Sequence, residues 1–127
     1  MAEKPSKPLY WIAASLKDLK ALPVPMQKAF GTALHVVQLG GMPLGAKPLK
    51  GFGGAAVLEL AEDFDRATYR AVYTVKFENA VYVLHVFQKK SKRGIATPAR
   101  DIELVRQRLR FASEHYATLP SREDDRD

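Results

Sequence analysis

Val81-Tyr82-Val83-Leu84-His85-Val86-Phe87-Gln88-Lys89-Lys90-Ser91-Lys92-Arg93 decides how the rest of the chain reads. Its first eight residues are mostly β-branched, aromatic or leucine, the composition of a central strand, and they run without a break into a cationic tip. Side chains alternate along a strand. Strict alternation predicts Val81, Val83, His85, Phe87 and Lys89 on one face and Tyr82, Leu84, Val86 and Gln88 on the other. Both faces are largely apolar, so the strand is expected to be covered on both sides, a stiff mount for His85, Lys89 and Lys90.

Two more strands precede it. Ala55 to Ala61, Thr68 to Phe77 and Ala80 to Gln88 read as an antiparallel meander, with turns at Glu62 to Arg66 and at Glu78-Asn79. In the middle strand Tyr69, Ala71, Tyr73 and Val75 point one way and Thr68, Arg70, Val72 and Thr74 the other. An arginine inside such a strand is costly to bury alone, so Arg70 either pairs with a carboxylate such as Glu59 or opens onto a polar cleft.

Upstream, Leu9 to Ala13 fits an edge strand. Ser15 can cap a short helix to Leu22, with Asp18 three positions later. Pro23 and Pro25 stop that helix, and Pro25 suits the first turn of the next. There Met26, Phe30, Ala33, Leu34 and Val37 recur on one face until Gly40-Gly41 ends the helix, so a helical hairpin is expected on the sheet. Met42 to Gly54 is rich in glycine, holds two prolines, and reads as a long loop carrying Lys47, Lys50 and Phe52. Its glycine spacing matches neither the Walker nor the dinucleotide fingerprint, so no nucleotide cofactor is expected. At the other end Thr97-Pro98 starts a helix whose stripe is Ile102, Val105, Leu109, Ala112 and Tyr116, with Arg106 and Arg110 beside it.

The fold class is therefore α+β: an N-terminal strand, a helical hairpin, a three-stranded antiparallel meander and a C-terminal helix. A chain of 127 residues, 46% hydrophobic and 27% charged, supports one globular domain, placed at 8–117. Residues 1–7 read as a disordered lead-in and 118–127 as a polar tail. With no cysteine and three histidines lacking metal-ligand spacing, neither disulfides nor a metal site is expected. The sequence has neither a signal-like stretch nor a membrane-length apolar run, which predicts a cytoplasmic protein. Net charge is +6, and the last seven residues, holding four acids and two bases, conceal a more basic body. Such a surface attracts polyanions, nucleic acid above all.

The order of elements resembles the RelE/ParE toxin superfamily, and the words resemble its HigB-like, phage-derived branch. The matching pieces are Lys47-Pro-Leu-Lys-Gly-Phe-Gly-Gly54, Val57-Leu-Glu-Leu60, Thr68-Tyr-Arg-Ala-Val-Tyr73, Tyr82 to Lys92, and Thr97-Pro followed by Asp101-Ile-Glu-Leu104. The resemblance implies a type II toxin that enters the ribosome and cuts mRNA, held inactive by a cognate helix-turn-helix antitoxin. Many relatives carry an arginine just after the Glu-Leu of the first meander strand; here that position is Ala61.

RNA carries its own nucleophile, the 2′-hydroxyl. A protein that cuts it without a metal needs cations for the crowded phosphorane and groups that move protons. Arg70, Lys89 and Lys90 are the candidates for charge, with His85 or Tyr116 for proton transfer. A mid-strand histidine is more commonly a hydrogen-bonded core residue, and His115 and Tyr116 close a helix whose dipole a histidine complements. Lys47, Lys50, Lys92, Arg93, Arg106 and Arg110 are candidate RNA contacts, and Phe52 a base-stacking surface. Solvation of an exposed basic turn is the plain alternative for Lys89 to Arg93. Two other function classes fit the same scaffold: a ParE-like gyrase inhibitor, and a phage-derived module that binds RNA or protein and cuts nothing.

Overall fold

A computed structural model describes residues 5–53, 56–89 and 97–120. Its elements run β1 (Leu9–Trp11), α1 (Ser15–Lys20), α2 (Val24–Gln38), β2 (Lys47–Pro48), β3 (Val57–Phe64), β4 (Ala67–Thr74), β5 (Val81–Lys89) and α3 (Ala99–Thr118). One sheet of five strands has the order β1-β5-β4-β3-β2. β3, β4 and β5 form the expected meander, and β1 lies parallel to β5 at one edge. The other edge departs from expectation. Lys47-Pro48 pairs with Glu59 and Leu58, and Leu49 donates its N–H to Val57, so part of the glycine-rich stretch is a strand.

Helices cover both faces, as apolar side chains on both sides of β5 require. Leu19 of α1 and Phe30, Leu34 and Val37 of α2 pack on Leu58, Leu60, Ala71, Tyr73, Val81, Val83 and Val86. Val105 and Ala112 of α3, with Ile102, Leu109 and Tyr116 partly buried, pack on Val57, Val72, Tyr82 and Leu84. Both helical stripes follow the periodicity of the sequence. Phe30 is fully buried, and truncating such a side chain to alanine costs about 3–5 kcal/mol.

Local chemistry explains most boundaries. α2 takes Pro25 in its first turn and stops short of Gly40, whose φ of 90° lets the Gly40 and Gly41 N–H groups bond back to Val37 and Val36. Ser15 does not cap α1: it sits inside the helix and its hydroxyl donates to the Val83 carbonyl at 3.2 Å. The β3–β4 turn is tighter than expected, two residues, Asp65 and Arg66, with φ of 51° and 68°. β4 ends at Thr74, before Phe77. Lys7 exchanges backbone and side-chain hydrogen bonds with Gln38, anchoring the chain just ahead of β1. Residues 1–4, which fall in the expected lead-in, and 121–127, which fall in the expected tail, lie outside the described residues. Among the described residues no helix is long and apolar enough to cross a membrane.

Strict alternation fails in β5. His85 pairs with Val72 while Val83 pairs with Tyr73, which leaves Leu84 as the extra residue of a β-bulge. Val81 and Val83 face the α1 and α2 side, yet beyond the bulge it is Val86 that does so. His85 and Phe87 face α3 instead.

Candidate active site

The bulge delivers the end of β5 to one polar corner. Residues paired directly across antiparallel strands share a face. The pairs Val72–His85, Arg70–Phe87 and Thr68–Lys89, with Ala61–Arg70 on the next strand, therefore place His85, Lys89, Arg70, Ala61 and Glu59 on the α3 side of the sheet.

At its centre Arg70 is paired with Glu59 through Nη1 and Oε1, and is only 8% exposed. Thr97, just before α3, donates its hydroxyl to Glu59 Oε2 at 2.6 Å, so both carboxylate oxygens are engaged. The guanidinium Nε is buried without a hydrogen-bond partner. Lys89 is half-buried; burial lowers its pKa, Arg70 lowers it further and Glu59 opposes both. Of the two outcomes the sequence left open for Arg70, the carboxylate pair is the one adopted. Ala61, across from Arg70, is exposed.

His85 is also buried, 6% exposed, and stacks on Phe87 with ring centroids 4.4 Å apart. Its Nε2 lies 2.8 Å from Asp101 Oδ1 and its Nδ1 3.4 Å from Arg108 Nη1. A guanidinium only donates, so the neutral tautomer with the proton on Nε2 satisfies both partners. Burial lowers its pKa, and the Asp101 hydrogen bond only partly offsets that. Both nitrogens face protein partners, which is the core-histidine outcome and leaves neither directed at a substrate.

Tyr116 is not part of this corner. It stands fifteen residues along α3 from Asp101, about 22 Å at 1.5 Å per residue. There its hydroxyl accepts from the Asn79 N–H at 3.3 Å and its ring packs on Phe77. With Pro8, Tyr10 and Leu119 it lines a separate hollow of about 300 Å³. His115 bonds the Tyr82 hydroxyl at 2.6 Å, whose pKa burial and the neighbouring Tyr10 and Tyr116 push up to about 12. Tyr116 thus stands at the other end of α3 from the Asp101 that holds His85.

The remaining basic candidates spread outward. Lys47 pairs in register with Glu59 on the exposed β2 edge, and Lys50 is exposed on the loop beyond. Arg106 covers one face of the Phe52 ring at 4.9 Å and donates to the Gly51 carbonyl. Arg110 is exposed on α3. Lys90, Lys92 and Arg93 lie outside the described residues.

Sequence reasoning missed Arg108 and gave Asp101 no role. A signal was present: Asp101, Val105, Arg108 and Ala112 recur at helical spacing, so two charged residues share the phase of two buried ones.

Residues 17–110 match the family described as phage derived protein Gp49-like (DUF891). No curated protein matches the chain. Among solved structures it is similar to E. coli toxin RelE, in the free state and with two arginines replaced by alanine. The identity is 16% over 84% of this chain and 98% of that one, with a TM-score of 0.53. The RelBE2 toxin-antitoxin complex from Mycobacterium tuberculosis is 20% identical over 67% of this chain and 100% of that one, at a TM-score of 0.47. A family match running from α1 into the second half of α3, on a sheet and helices arranged as in RelE, makes this protein a member of the Gp49-like phage-derived family with the RelE fold.

Proposed function

We propose that this protein is the toxin of a type II toxin-antitoxin pair, of HigB-like character, acting in the cytoplasm as a ribosome-dependent mRNA endoribonuclease. Its partners are then the ribosome, the mRNA it holds, and a helix-turn-helix antitoxin. The observation that carries the reading is the corner where Arg70 and Lys89 share one face, Lys89 being the first residue of the basic sequence run that ends at Arg93.

In the proposed reaction the 2′-hydroxyl gives its proton to solvent water and attacks the adjacent phosphorus. The bond to the 5′-oxygen breaks, leaving a 2′,3′-cyclic phosphate and a 5′-hydroxyl end. Arg70 and Lys90 stabilise the phosphorane charge. The lowered pKa of Lys89 suits it to protonate the leaving 5′-oxygen as well as to supply charge. His85 organises the corner.

A second reading is favoured by the same pair of residues. Glu59 neutralises Arg70, and Ala61 stands where many relatives of the resembled branch carry an arginine. Both fit a phage-derived module that binds RNA or protein and cuts nothing.

Primer extension on an mRNA in a translating extract separates the two. The nuclease predicts new 5′-hydroxyl ends within codons, reduced about 100-fold or more in Arg70→Ala and in Lys89→Ala, consistent with the loss of one transition-state charge contact. Lys89→Ala is informative even if Arg70→Ala, which strands Glu59, fails to fold. Ribosome binding without new ends would establish the second reading.

A further inference from the structure

We propose that Arg108 is the positioning residue of this corner: reaching from α3 to the bulge at Leu84, it fixes the direction in which the last residues of β5 point. The functional consequence rests on the nuclease reading; the structural part does not.

Leu84 is the residue without a partner in the β4 register, and Arg108 Nη1 donates to its carbonyl at 2.9 Å. The same nitrogen faces His85 Nδ1 at 3.4 Å. Asp101, two turns earlier on the same face of α3, holds the opposite nitrogen of that ring. One helix therefore grips two consecutive residues of β5, the extra residue and the one after it. Burial lowers the pKa of both Arg108 and His85, and Asp18 of α1 opposes that at each of them.

The grip matters because the apolar pattern does not choose a phase. Without the extra residue, alternation would carry Val86 to the α3 side and His85, Phe87 and Lys89 to the α2 side. Either phase buries valine, leucine or phenylalanine on both faces, so the hydrophobic effect alone distinguishes them weakly. A slip would remove Lys89 from the face it shares with Arg70. A guanidinium is suited to holding the bulge, since its planar fork can serve a carbonyl and a ring nitrogen together.

The test compares wild type, Arg108→Met and Arg108→Lys by amide hydrogen exchange and by cleavage with ribosomes at saturation. In Arg108→Met, exchange is expected to quicken about tenfold or more from Val86 to Lys89, with Val81 to Val83 still protected. The maximal cleavage rate is expected to fall about 10- to 100-fold with ribosome affinity unchanged, as for a misplaced catalytic group. Arg108→Lys, which keeps the positive charge and N–H donors on a single nitrogen, is expected to recover part of both. Exchange that rises evenly along β5, or does not change, would overturn the proposal. If wild type itself cuts nothing, the nuclease reading fails and the exchange comparison still decides the role of Arg108.

Discussion

Burial strips water from the His85 imidazole and lowers its pKa below the ordinary 6.5, while the Asp101 carboxylate pulls the other way and Arg108 adds to the lowering. Asp18 is the remaining charge acting on the ring, and it too raises the pKa. Above pH 6.5 the ring is neutral in both the folded and the unfolded chain and imposes no penalty. As the pH falls below that value the unfolded chain takes up its proton first, so stability declines until the folded value is passed. Melting temperature is therefore expected to fall between pH 7.5 and 5.5, and to fall less in His85→Gln than in wild type. At pH 7.5 the substitution itself should cost about 1–3 kcal/mol through the bond to a charged partner. A variant as acid-sensitive as wild type would show that His85 is not the titrating group. Arg70 is buried too, but against a carboxylate: Glu59 pairs with it, and Thr97 in turn holds Glu59 in place.

At the scale of elements, periodicity and punctuation carried the reading well. The stripes of α2 and α3, the prolines at the start of those two helices and Gly40 after α2 are signals in the residue types themselves, and both helices formed where they stand. The bulge was not legible, because an apolar run on both faces of β5 looks the same in either phase. Arg108 and Asp101 were hidden for a related reason: they are polar residues at core positions, and only the strand they grip explains them. The β3–β4 turn was misjudged because Asp65-Arg66 lacks glycine. Both residues adopt the left-handed region, which costs a non-glycine residue about 1–2 kcal/mol. Asp-Gly is the pair such two-residue hairpins favour. Arg66→Gly is expected to relieve part of that strain, net of glycine's larger entropy loss, for a gain of about 0.5–1 kcal/mol. Thermal melting should rise by roughly 2–5 °C; a lower midpoint would mean that the Arg66 side chain contributes more than its backbone costs.

On the proposed reading the basic surface attracts and the corner between β4, β5 and α3 discriminates, and these are separable in measurement. Each cation that neutralises a phosphate releases a counterion, so the logarithm of affinity falls with the logarithm of salt, by about 0.7 per contact on a single strand. Arg110 is exposed on α3, among the outlying basic residues, whereas Lys89 lies on the face of Arg70. If both meet RNA, Arg110→Ala and Lys89→Ala should each lower the salt slope of ribosome binding by about 0.7. Only Lys89→Ala should also slow cleavage once binding is saturated, because attraction no longer limits a reaction whose complex is already formed. Filter binding at several salt concentrations, followed by single-turnover cleavage at the lowest, reads both quantities from the same proteins. Equal loss of cleavage in the two variants would assign Lys89 to the general field of the molecule and leave the corner without chemistry of its own. A slope unchanged in Lys89→Ala with cleavage abolished would place that ammonium at the reacting phosphate without any share in the initial encounter.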